Sequence, residues 1–93
     1  MIGTTPTNRQ AQLLGRRIEE ALQARVGSVR GSPRPAAFRV LYRNPVPSAL
    51  VEIGYLTHPG DAARAQSVGY RAMLADALVD GITHFLRDSA PPL

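Results

Sequence analysis

The stretch Ser48 to Leu56 reads SALVEIGYL, a continuous apolar run with one carboxylate, Glu52, in its middle. An ionised carboxylate inside an apolar strand costs several kcal/mol unless something compensates it, because desolvation disfavours the charged form and raises the pKa. Two readings account for it. Glu52 sits at the strand end, or pairs with Arg39 or Arg43, and is structural. Alternatively it is a general acid or base with a tuned proton affinity at the carboxyl end of a sheet strand.

The other residues able to do chemistry are fewer. His58 precedes Pro59 in a turn and is expected to hydrogen-bond its own loop; His84 stands beside Phe85 on a helix and is expected at the surface or in helix-end packing. Glu52, His58 and His84 would supply enough ligands for an open catalytic zinc, but no i, i+4 or short-loop spacing preorganises the three. Gly54 either permits a close backbone approach or is a simple bend. Tyr55 and Leu56 read as sheet packing. Arg30, Arg34, Arg39 and Arg43 suit either attraction of anionic groups or a solvated basic face.

These residues need elements to hold them. Thr7 to Gln10 offers a capping box, after which Ala11, Leu14, Ile18, Ala21 and Leu22 fall on one stripe, predicting an amphipathic helix that ends near Val26 and Gly27. The Gly27–Pro35 stretch GSVRGSPRP is loop punctuation. AAFRVLYR then alternates as a strand does, NPVP turns the chain, and SALVEIGYL is apolar on both faces, as in an interior strand. From Asp61 a short helix is expected, followed by a longer one with Leu74, Ala77, Leu78, Ile82 and Phe85 facing inward. The tail from Ser89 to Leu93 should be disordered. Two strands would leave open edges, so the chain is expected to pair with more sheet, from a larger domain or from a homo-dimer mate.

The 93 residues make one small domain at most, and 44% apolar content with ordinary charge argues against wholesale disorder. All basic residues are arginine, giving a net charge of +4. They are scattered without aromatic interleaving or a recognition-helix pattern, so no nucleic-acid partner is expected. There is no cysteine, hence neither a disulfide nor a thiolate zinc site. No apolar run is long enough for a transmembrane segment, and the polar start MIGTTPTNRQ lacks the order of a signal peptide.

The segment VPSALVEIGYLTHPGDAARAQSVGYRAMLADALVDGITHFL resembles the carboxyl-terminal half of the zinc-dependent N-acetylmuramoyl-L-alanine amidases, with Glu-Ile-Gly-Tyr-Leu-Thr as its most specific part. FRVLYRNPVP and RQAQLLGRRIEEALQARVG resemble the preceding strand and helix, so the likeness covers almost the whole of residues 1–93. His58 departs from it, standing where the family usually has asparagine. The resemblance implies an α/β fold, the last two strands and flanking helices of a three-layer α/β/α twisted sheet, here a partial domain. It implies that Glu52 is the catalytic acid/base and that peptidoglycan is the substrate, cut between N-acetylmuramic acid and L-alanine. The family's zinc ligands, two histidines and a glutamate, belong to the amino-terminal half, so a truncated member would bind no zinc by itself. The alternative is a non-catalytic remnant that binds cell-wall material or an intact amidase. By resemblance the location is the cell envelope or the extracellular space.

Overall fold

The structure is a computed structural model that describes residues 2–4, 8–27, 41, 46–54 and 57–89, together with the backbone of 34–35. Its elements are β1 (Ile2–Thr4), α1 (Arg9–Arg25), β2 (Arg34–Pro35), β3 (Ala49–Val51), α2 (Pro59–Gln66) and α3 (Val68–Ser89). The strands form one sheet in the order β2-β1-β3. β1 runs parallel to β2, with Gly3 opposite Arg34. It runs antiparallel to β3, with Ile2, Gly3 and Thr4 opposite Val51, Leu50 and Ala49.

The central strand is one that the sequence did not announce. Three residues, IGT, are too few to display alternation, and the segment reads as polar. Pairing on both sides overrides that local weakness, and all three residues are buried. Pro35 lies in the edge strand β2, where a missing N–H leaves no gap in the middle of the ladder. The strand expected over AAFRVLYR falls outside the described residues apart from Leu41, which is buried.

α1 begins one residue later than a Thr7 cap would require. Asn8 is the N-cap, its side-chain oxygen accepting from the Ala11 N–H at 2.9 Å. Asparagine does this at least as well as threonine, so the capping-box geometry gives way to the simpler cap. The helix closes where expected: Val26 and Gly27 donate their N–H groups to Leu22 O, and Gly27 takes φ +100°, a conformation that glycine adopts without penalty. Ala11, Gly15, Ile18 and Leu22 form the buried stripe.

Ser67 separates the last two helices. Its N–H donates to Arg64 O at the end of α2, and its hydroxyl accepts from Tyr70 N at the start of α3. α3 buries Leu74, Ala77, Gly81 and Phe85. Ile82, expected inward, is instead 45% exposed. The reason is Gly81: a Cβ built there would lie 2.7 Å from Ile18 Cα and 3.0 Å from Arg17 O, so the two backbones touch and leave no room for a larger residue to rotate in. α3 runs through Ser89, whose hydroxyl donates to Gln10 Oε1 at 3.0 Å, so the expected tail does not begin there; residues 90–93 lie outside the described residues.

The helices are antiparallel, tied at one end by Arg17 to Asp88 (2.7 Å) and at the other by Arg25 to Asp80. The hydrogen bonds that Arg17 donates to Glu20 and then to Asp88 raise its pKa; the one that Arg25 donates to Asp80 does the same for Arg25. These exposed pairs orient the helices more than they stabilise them. The stability comes from the cluster of Ile2, Ile18, Leu22, Leu74 and Ala77, in which α1 packs against the sheet on one side and against α3 on another. Each of the isoleucine and leucine side chains contributes about 1.5–3 kcal/mol when fully buried, and the Ala77 methyl less.

Gly81→Ala tests the close approach. Alanine should raise intrinsic helix stability by about 1 kcal/mol, yet the collision with Ile18 and Arg17 backbone atoms should dominate and lower stability by about 2 kcal/mol or more. Urea unfolding followed by circular dichroism measures it; an unchanged or higher midpoint would disprove the contact.

Candidate functional site

β3 ends at Val51, so Glu52 is the first residue beyond the strand rather than its middle. Antiparallel pairing of Val51 with Ile2 puts it at the end of the sheet where β1 begins. The interior strand expected over Ser48–Leu56 is therefore shorter. Ala49–Val51 are half-buried, and Ile53 is 54% exposed. Glu52 itself is half-buried, so the full desolvation cost anticipated for it is not incurred. Arg39 and Arg43, its suggested partners, lie outside the described residues, as do Tyr55, Leu56 and Arg30.

Two residues on, the chain leaves ordinary backbone. Gly54 has φ +153°, and a Cβ there would meet the Asp61 side chain at 3.1–3.3 Å. Of the two readings of this glycine, close approach is the one found, and the approaching group is Asp61. Asp61 is the third residue of α2, and its side chain is only 10% exposed. Arg64, one turn on, hydrogen-bonds its carboxylate.

His58 is the cap of α2. Its Nδ1 accepts the Asp61 N–H at 3.1 Å, which requires that nitrogen to be unprotonated. The 3.6 Å separation between the same Nδ1 and Asp61 Oδ1 is then a proximity of two acceptors rather than an ion pair. With Pro59 at the first helical position, the cap gives α2 a defined start and seats Asp61 against Gly54. Sequence reasoning missed this role for Asp61. The available signal was the spacing His58, Asp61, Arg64, three residues apart each time, which stacks cap, acid and base on one side of a first turn.

His84 is elsewhere. It lies on the exposed side of α3 with Nε2 3.8 Å from Asp88, one turn away on the same helix. The structure thus brings His58 and Asp61 together near the Glu52 loop and leaves His84 on another element. Among the described residues no three His, Cys, Asp or Glu side chains are grouped so that they could hold a metal ion. These residues do not fit a zinc site: the one histidine near the loop spends Nδ1 on the backbone.

The family model for N-acetylmuramoyl-L-alanine amidase matches residues 2–84, and the chain belongs to that family. It is 30% identical over 84 residues to N-acetylmuramoyl-L-alanine amidase LytC of Bacillus subtilis, an alignment covering 90% of this chain and 17% of LytC. It is 24% identical over 74 residues to the probable cell wall amidase LytH of Staphylococcus epidermidis, covering 80% of this chain and 25% of LytH. The chain therefore spans a quarter or less of the length of these curated relatives. No solved structure gives a significant match. No helix among the described residues is long and apolar enough to cross a membrane.

The Gly54–Asp61 contact generates a double-mutant test. Gly54→Ala should destabilise by about 1–3 kcal/mol through backbone strain and collision. Asp61→Ala in the same chain should recover part of that loss, so the two costs should not add. Strictly additive urea midpoints would show that the two positions do not meet.

Proposed function

We propose that this chain is part of a cell-wall amidase catalytic domain and that Glu52 is its catalytic acid/base. The observation that carries the reading is the position of Glu52, immediately past β3 at the sheet end and two residues before Gly54, whose positive φ suits glycine alone, within the stretch matched by the family model. The carboxylate is half-buried and accessible from a sheet end, where a substrate carbonyl can be presented.

On this reading the bond cut is the amide joining the lactyl group of N-acetylmuramic acid to L-alanine in peptidoglycan. Glu52 accepts a proton from a water molecule as the water oxygen attacks the carbonyl carbon. When the carbon–nitrogen bond breaks, Glu52 returns that proton to the leaving nitrogen. The products are a lactyl carboxylic acid and a free α-amino group, and Glu52 ends as it began. The three strands and three helices are then the carboxyl-terminal part of a three-layer α/β/α domain, and the family's zinc ligands are supplied by its amino-terminal half. The place of work is the cell envelope or beyond it.

The absence of a three-ligand group among the described residues motivates a second reading, in which the chain binds cell-wall material or an intact amidase without turnover. One assay separates them. The chain combined with the amino-terminal half of a family member should release stem peptides from purified peptidoglycan. Glu52→Gln should reduce that release by about 10²- to 10⁴-fold while leaving binding intact. Sedimentation with peptidoglycan without any release supports the second reading; release undiminished in Glu52→Gln removes Glu52 from the chemistry.

A further inference from the structure

α3 has two apolar faces, and only one of them meets α1. The other consists of Val68, Ala72, Ala75, Val79, Ile82 and Leu86, spaced alternately four and three residues apart. Val68, Val79, Ile82 and Leu86 are 73%, 61%, 45% and 59% exposed, and both alanines are exposed as well. A helix needs no such order on a solvated face. Alternation of three and four is the a/d repeat of a coiled-coil seam, which keeps one stripe facing a partner helix along its length.

We propose that this stripe binds the same stripe of a second copy of the chain, with the two α3 helices antiparallel about a two-fold axis. Three features select that occupant. First, Ala72 and Ala75 lie toward one end of the seam and Ile82 and Leu86 toward the other, so antiparallel pairing sets a small residue against Leu86, whereas parallel pairing would set Leu86 against Leu86 and Ala75 against Ala75. Placing Val79 opposite the second copy's Ile82 sets Ala75 opposite Leu86 and Ala72 opposite Ser89. Second, the flank beside the seam carries Asp76 and Asp80, which share the single Arg25, at 3.9 Å from Asp76. One carboxylate is in surplus there. Third, Arg87 lies on the same flank and makes no ion pair among the described residues. The register just given brings it within two residues, about 3 Å of helix rise, of Asp76 of the other copy on the same flank, twice by symmetry. A parallel pair sets each flank against the opposite flank of the other helix, so Arg87 and Asp76 would not meet.

The inference is independent of the role of Glu52, since the seam lies on α3 and self-association is read without any substrate. Sedimentation velocity of the purified chain at high micromolar concentration should give a species of twice the 10.0 kDa chain mass. Ile82→Lys, at an exposed position, should leave the helical circular dichroism unchanged and weaken dimerisation by about 100-fold or more, because a charge is placed in the seam. The chain has no cysteine, so orientation can be read directly: a mixture of Ala75→Cys and Leu86→Cys chains should form the mixed disulfide faster than either self-pair. A monomeric chain, a dimer indifferent to Ile82→Lys, or faster self-pairing of Ala75→Cys overturns the proposal. So does a chain that stays monomeric and uses this face, sensitive to Ile82→Lys, to capture a co-expressed amidase amino-terminal half.

Discussion

The pairing of a three-residue strand decides where the candidate acid comes to rest. β1 is hydrogen-bonded on both sides, and Ile2 at its start also belongs to the cluster that joins α1 to α3. The same residue that sets the sheet's register is therefore anchored in the helix core. A one-residue slip of β3 along β1 would turn Val51 and Glu52 to opposite faces, since side chains alternate along a strand. The position of Glu52 rests less on its own surroundings than on Ile2 being held in place.

That dependence explains what could be read from the residues and what could not. The helices were legible because their signals are repeated: the α1 stripe recurs from Ala11 to Leu22, about three turns, and the arrangement around Gly27 stops it by a mechanism that needs no distant partner. Inaccuracies arose where one local option competed with another of equal quality, as at Asn8 against Thr7, or where a tertiary contact decided the outcome. Ile82 has the right spacing to face inward, but Gly81 takes the contact because two helix backbones approach too closely for a side chain. β1 is the extreme case. Nothing in IGT distinguishes it from a polar leader; its identity as a strand exists only once β2 and β3 flank it.

The site shows the same division. Glu52 was conspicuous because a carboxylate in an apolar run conflicts with its neighbours, and conflicts of that kind are where function concentrates. Its actual setting is milder, at a strand end and half-buried, because the strand stops at Val51. Asp61 was inconspicuous for the opposite reason: an acid in the first turn of a helix is ordinary, and its contact with Gly54 crosses a loop that sequence spacing does not describe. Family membership and geometry meet at this loop. The chain matches amidases over nearly all its length, yet it covers a quarter or less of LytC and LytH, and its described residues do not assemble a metal-binding group.

The strand order also has a consequence during synthesis. Ile2 pairs with Val51 and Gly3 with Leu50, so neither partner on that side is near in sequence. At about 5–20 residues per second, β1 is made some 2–10 s before β3 exists to receive it. Throughout that interval Ile2 has α1 and the edge strand β2 within reach but not its antiparallel partner, so one side of the central strand is satisfied later than the other. Nascent chains of this protein should thus be most prone to misassociation before residue 51 has left the ribosome, with α1 acting as the early shelter for Ile2.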